Sequence, residues 1–251
     1  MVRVVSVHSF RGGTGKSNLT ANVAVQAARR GHRVGVVDTD IQSPGIHVLF
    51  GLAGIDVEVA LNDHLFHGRP IDEVAREVTP ADVEGAIHLI PSSTRPGEIT
   101  RVLRDGYDAH QLVSGFRGLV EALELDVLLI DTHPGLGEET LLSLVVSDTV
   151  LVLLRPDQQD YEGTATIIEV TAGLEVPRIG LVVNKLPEAL DRDEVGGRVR
   201  AAYGQPVVAV LPHDEDLMLV ASASILSVTR PEHRVAQGFG RVTDFVLGDD
   251  R

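Results

Sequence analysis

Short apolar runs rich in β-branched residues recur along the chain, separated by longer stretches of helical periodicity. Runs without polar alternation belong to strands buried on both faces, and the stretches between them belong to helices that cover those faces. The pattern predicts strands near 2–8, 33–38, 87–91, 126–131, 149–154, 179–184 and 207–211. It predicts helices over 17–30, part of 70–78, part of 96–122, 138–146, 161–173, 191–203 and 232–247, with Gly31 closing the first. Strand and helix in alternation are the mark of βαβ units. The expected fold class is therefore α/β, a three-layer sandwich with a mostly parallel central sheet flanked by helices. Val127–Ile130 and Val150–Leu154 carry no polar position, which assigns them to the sheet interior. Residues 56–85 are the least regular, and Asp63, His64 and His67 there suit a surface helix better than a metal site.

The 251 residues are enough for one large domain, expected to span 1–251. No apolar stretch approaches the roughly 20 residues of a membrane span. The chain enters the strand-like Val2–Val7 without a basic segment, apolar run and cleavage site, so a cytoplasmic rather than secreted protein is expected. It contains no cysteine, which removes disulfides, thiolate catalysis and cysteine-ligated clusters. The net charge of −14 works against generic affinity for nucleic acid or anionic lipid. Lysine occurs only at Lys16 and Lys185, and Arg192, Arg198, Arg200, Arg230, Arg234 and Arg241 are interleaved with acids, as on a solvated surface.

Against that background one segment carries chemistry. Phe10-Arg11-Gly12-Gly13-Thr14-Gly15-Lys16-Ser17-Asn18 lies between the first apolar run and an alanine-rich helix. Glycines at 12, 13 and 15 let backbone N–H groups turn into one hollow and approach an anion closely. Lys16 is placed to reach β and γ phosphates, Ser17 to offer its hydroxyl to Mg²⁺, and the helix start to add its positive end. The spacing departs from G-x-x-x-x-G-K-[ST], because the first glycine would fall at Phe10; a deviant Walker A loop describes it better.

Ligands of open parallel sheets bind beyond the carboxyl ends of strands, where this sequence puts acids. Asp131 follows four apolar residues and has the form of a Walker B acid, with Gly135 behind it to give a backbone N–H to a γ-phosphate. Asp38 and Asp40 alternate on one face of a strand end, Asp38 toward the metal's outer shell and Asp40 toward the attacking water. Capping of the following loops is the plainer role such acids can have.

Arg11–Ser17, Asp38-Thr39-Asp40, Asp131–Gly137 and Asn184-Lys185, in this order, resemble the MinD/ParA group of deviant Walker A ATPases over nearly the whole chain. Leu211-Pro212-His213-Asp214-Glu215 is similar to the group's adenine-side loop. The resemblance implies a homodimer closed over two Mg²⁺-ATP, dissolved by slow hydrolysis and used to position a cargo through a protein activator or adaptor. It implies that Asn184 and the Pro212–Asp214 loop hold adenine. It also implies that position 11 is a lysine reaching the partner's phosphates; here it is Arg11, a permanently charged two-pronged donor suited to the same trans role. His133 replaces the group's usual proline.

The sorting among family roles comes mostly from what is missing. Cluster-bearing relatives need cysteine, tyrosine kinases of the group end in tyrosines, and MinD closes on a basic membrane helix, whereas this chain ends Leu247-Gly248-Asp249-Asp250-Arg251. The stripe Val235, Phe239, Val242 and Val246 is expected to pack on the sheet, which argues against a membrane partner. DNA binding would require Arg198, Arg200, Arg230, Arg234 and Arg241 to gather on one surface. A positioning ATPase is the leading expectation, and a nucleotide-set dimerisation switch with little turnover the alternative.

Overall fold

The computed structural model describes residues 2–52, 57–220 and 224–249, with the backbone alone for 218–220. Asp56, Asp250 and Arg251 lie outside the described residues. The strands are β1 (Arg3–His8), β2 (Arg33–Asp38), β3 (Arg76–Glu77), β4 (Ala86–Ile90), β5 (Val127–Asp131), β6 (Thr149–Leu154), β7 (Arg178–Leu186) and β8 (Val207–Pro212). They form one sheet in the order β3-β4-β2-β5-β1-β6-β7-β8, parallel throughout except for β3, which runs antiparallel to β4.

Side-chain alternation distributes these strands between two helix layers. Val5, Val7, Val127, Leu129, Leu151 and Leu153 face α1 (Lys16–Ala28) and, later in the chain, the long C-terminal helix 234–247. Leu128 and Ile130 turn the other way, onto α3 (Leu61–His67), α4 (Ile71–Val74), α5 (Pro96–Asp105) and α6 (Ala109–Ala122), whereas α2 (Ile46–Leu49) packs in the α1 layer. Val150, Val152 and Leu154 meet α7 (Glu138–Val145), α8 (Gln158–Gly173) and α9 (Arg192–Tyr203). The segments expected to lie inside the sheet are fully buried on both sides.

Three further helices complete the chain: α10 (Glu215–Val220), α11 (Leu226–Thr229) and α12 (Arg234–Leu247). The stripe Val235, Phe239, Val242 and Val246 packs into the core shared with α1 and β8, as its spacing predicts. Among the described residues no helix is long and apolar enough to cross a membrane.

The structure corrects several boundaries. The stretch 96–122 is two helices, broken where Gly106 takes a positive φ and Asp108 caps α6. The predicted helix within 70–78 stops at Val74, and Arg76–Glu77 pair with β4 instead. Asp63, His64 and His67 lie on a short helix, α3, as expected, whereas the sequence pattern gives no sign of α2, α10 and α11, because four to six residues carry no measurable period.

Topology fixes where chemistry can occur. β1 lies between β5 and β6, so the chain leaves it toward β2 on one side and later crosses to β6 on the other. A crevice opens beyond its carboxyl end at that reversal. The glycine-rich loop and α1 begin there.

Candidate functional site

Residues 9–15 connect β1 to α1, and two glycines make the turn. Gly13 has φ +75° and Gly15 φ +103°, with Gly15 serving as N-cap of α1. A Cβ on Gly15 would stand 2.6 Å from Asn184 Nδ2, so the close approach of β7 also requires glycine. Gly163 of α8 has a parallel reason: a Cβ there would collide with the ring of Phe10, which rests on that helix.

A cavity of about 660 Å³ opens over the loop, lined by Gly12, Gly13, Gly15, Lys16, Ser17, Asn18, Asp40, His133 and Lys185 among others. Nine-tenths buried, Lys16 donates from Nζ to Ser9 Oγ at 3.2 Å. Burial lowers its pKa, against the pull of Asp131 and Asp40. Thr14 is buried and its hydroxyl turns to Ser9 Oγ at 2.9 Å, leaving only its backbone to serve a ligand. Asn18 Oδ1 accepts from Asn22 Nδ2 at 2.9 Å.

Beneath the cavity lie two carboxylates with almost no contact with solvent. Asp38 and Asp131 are paired across β2 and β5, and Thr20 Oγ1 donates to Asp131 at 3.4 Å. Burial pushes Asp131 up to about 6, while the Ser17 hydroxyl and the Lys16 charge pull it back. Burial, then the charges of Asp131 and Asp40, drive Asp38 well above the usual carboxylate range. Asp38 Oδ2 is buried without a hydrogen-bond partner among the described residues. Two buried carboxylates, one with an unshared oxygen, and an adjacent serine hydroxyl are a hard oxygen donor set of the kind Mg²⁺ takes. The residues present fit that ion.

Gly135 has φ +86°, and its N–H donates to the Ser9 carbonyl at 3.1 Å. Asn184 braces the loop: Nδ2 donates to the Thr14 carbonyl at 2.8 Å and Oδ1 accepts from Lys185 N at 2.9 Å. Lys185, at φ +58°, donates from Nζ to the Gly13 carbonyl at 2.8 Å. Pro212 ends β8, and His213 and Asp214 line a separate cavity of about 710 Å³ with His233 and Arg234. Arg234 grips Asp214 at 2.9 Å, and Arg230 pairs with Asp216 at 2.7 Å.

Arg11 points away from the glycine loop. Its Nε donates to Asp160 at 2.5 Å, its NH2 group to both Asp157 oxygens at 2.8 Å, and its NH1 group to Gln159. Burial raises the Asp160 pKa, but bonds from Arg155 and Arg11 outweigh it and hold the carboxyl below its ordinary value. These α8 partners were not foreseen; the acids at the end of β6 were the available signal.

His8 and His133 also carry more than the sequence reading gave them. His133 Nδ1 lies 2.7 Å from Asp40 Oδ1. His8, buried in β1, is 2.8 Å from the Thr132 hydroxyl. The five arginines considered for a nucleic-acid surface divide: Arg230 and Arg234 are in ion pairs, Arg198 faces Glu194 at 3.9 Å, and Arg200 and Arg241 line a shallow groove along β8 with Arg192.

A glycine loop at the reversal point of a parallel sheet, opening onto a helix that begins Lys16-Ser17 and backed by strand-end acids, defines a P-loop NTPase. The ParA family model, described as NUBPL iron-transfer P-loop NTPase, matches residues 1–241, and the chain belongs to that family. An uncharacterized ATP-binding protein of Methanocaldococcus jannaschii is 27% identical over 250 residues, covering 99% of this chain and 89% of that one. An iron-sulfur cluster carrier protein of Pyrococcus furiosus is 27% identical over 184 residues, 72% of this chain and 60% of the carrier. The fold matches the septum site-determining protein MinD of Pyrococcus horikoshii complexed with Mg-ADP, with a TM-score of 0.84, 20% identity, and coverage of 100% and 99%.

Proposed function

We propose that the chain is a MinD/ParA-type ATPase, working in the cytoplasm, that binds Mg²⁺-ATP, dimerises on it, and hydrolyses it slowly to position a cargo. The observation that carries this is the loop cavity itself, in which Lys16, Ser17 and Asp40 share one lining above Asp38 and Asp131. Backbone N–H groups of Gly12–Ser17 would bind the phosphates and Lys16 would neutralise them. Asp40 would accept a proton-bearing contact from the attacking water and hold it in line. Ser17, Asp38 and Asp131 would hold Mg²⁺, which when bound supplies charge neutralisation at the transferring phosphoryl group.

Several relatives bear the name iron-sulfur cluster carrier. Clusters are held by cysteine thiolates, and this sequence has no cysteine. The absence of cysteine favours, in this reading, a cargo of another kind: a chromosome, plasmid or protein assembly reached through a protein adaptor. Adenine would contact Asn184 and the Pro212–Asp214 loop.

A second reading, a nucleotide-set dimerisation switch with little turnover, is favoured by one observation: Arg11 is already engaged by Asp157 and Asp160 of its own chain. Mg²⁺-dependent phosphate release, with Lys16→Ala as the blank, separates the two. Light scattering of wild type and Asp40→Ala in ADP and in ATP tests the dimer. A monomer in every nucleotide state would remove both readings. Co-sedimentation of the ATP-trapped form with DNA at varied salt tests the arginine groove, because phosphate contacts weaken steeply with salt.

A further inference from the structure

His133 and Asp40 come from the ends of different strands, β5 and β2, and both line the loop cavity. Their contact is short, 2.7 Å between His133 Nδ1 and Asp40 Oδ1. A carboxylate only accepts, so Nδ1 carries a proton and donates it. The same oxygen accepts from the Ser43 backbone N–H at 3.1 Å. Both bonds fall on Oδ1 and neither on Oδ2. Two donors on one oxygen set the plane of the carboxylate and leave Oδ2 as its acceptor toward a ligand.

His133 is itself tethered, because the Thr140 hydroxyl of α7 donates to its carbonyl at 3.3 Å. Asp40 is tied on its own side, where its N–H donates to Asp38 Oδ1 at 3.0 Å. The two side chains are 28% and 18% exposed, shielded enough for the bond to resist competition from water. It therefore joins the loop after β5, with Asp131 and Gly135, to the residue read as orienting the water.

We propose that His133 is a positioning residue for hydrolysis, its Nδ1–H fixing Asp40 so that Oδ2 meets the attacking water. This rests on Asp40 having that role. A mere tie between loops would change stability and nucleotide affinity together; a positioning bond acts on kcat, since small misplacements of a reacting group cost rate rather than binding.

The test compares wild type with His133→Ala, His133→Asn and His133→Gln, using Mg²⁺-ATP and phosphate release, with calorimetric binding of a non-hydrolysable ATP analogue in parallel. His133→Ala should lower kcat about 10-fold with KM within about twofold. His133→Asn, whose amide N–H falls near the place of Nδ1–H, should recover most of the rate, and His133→Gln should not. An independent readout is the ¹⁵N spectrum of the His133 ring, which should show Nδ1 protonated and hydrogen-bonded in wild type and lose that signature in Asp40→Ala. Wild-type kcat in His133→Ala, equal rates in the Asn and Gln variants, or an Nε2–H tautomer in wild type would each overturn the proposal. A wild type no faster than Lys16→Ala would remove the ATPase reading and this proposal with it; normal turnover with an unaffected His133→Ala would remove this proposal alone.

Discussion

Asp38 and Asp131 stand side by side, paired in register at the ends of β2 and β5, both buried and with Asp40 nearby. Asp131 and Asp40 raise the pKa of Asp38, and Asp40 that of Asp131, in addition to the larger effect of burial, so the nucleotide-free protein keeps an unfavourable cluster of acids at the floor of its cavity.

That arrangement makes removal of a functional acid stabilising. Asp131, raised to about 6, binds its proton more tightly folded than unfolded. Its contribution to stability is full below the ordinary carboxylate pKa and is lost as pH rises through about 6. Asp38→Asn should therefore raise the Tm of the nucleotide-free protein at neutral pH. It should also shrink the Tm gain on adding Mg²⁺-ATP. Thermal melts with and without nucleotide check both; an unchanged or lower Tm in the nucleotide-free variant would count against the cluster.

His8 works in the opposite direction. The Thr132 hydroxyl spends its proton on the Val7 carbonyl at 3.0 Å, so His8 Nδ1 donates to it and Nε2 is left buried without a partner. Burial first, then the charges of Lys16 and His133, lower the His8 pKa to about 3. A histidine that stays neutral when folded favours folding above its unfolded pKa and loses that contribution as pH falls from about 6.5 toward 3. His8→Val should flatten this acid limb, by about 2 kcal/mol at about pH 5 relative to pH 7. Because the acids contribute with the opposite sign in the same range, the wild-type-minus-variant difference in denaturant midpoints is the quantity to measure.

Gly15 is constrained twice, by φ +103° and by Asn184 Nδ2 at 2.6 Å from where a Cβ would stand. Gly15→Ala should cost about 1–3 kcal/mol, a few degrees of Tm in a chain of this length. Asn184→Ala placed in that background should recover part of the loss. Strict additivity of the two changes would show that backbone strain alone is responsible.

The sheet was legible because fully apolar runs such as Val127–Ile130 have no other use than a two-sided interior, and the loop because glycines followed by Lys16-Ser17 leave few alternatives. Asp38, Asp40 and Asp131 could be found from their place at strand ends. What was not legible depends on distances between segments far apart in sequence. Nothing near Arg11 announces that Asp157 and Asp160 lie beside it, nor does the sequence around Asn184 disclose that its amide holds the Thr14 carbonyl. The break within 96–122 was not legible because both halves are helical and it consists of a single glycine and a cap.

Arg11 gives the sharpest contrast between two acids. Asp157 is 42% exposed and Asp160 2%, and Arg155 shares Asp160 with Arg11. Removing Asp160 leaves Arg11 and Arg155, each about a third exposed, with only the partly solvated Asp157 between them, so Asp160→Ala should destabilise by about 1–3 kcal/mol. Removing Asp157 breaks a partly solvated pair and should cost at most about 1 kcal/mol. If Arg11 must leave its own chain to reach a partner's phosphates, freedom from Asp157 assists it. Asp157→Ala should then tighten the ATP-dependent dimer, by no more than about 30-fold, since two Arg11 side chains are released per dimer at about 1 kcal/mol each. Arg11→Ala should weaken it. Sedimentation equilibrium in ATP reads both constants, and a dimer indifferent to either change would confine Arg11 to bracing the loop against α8.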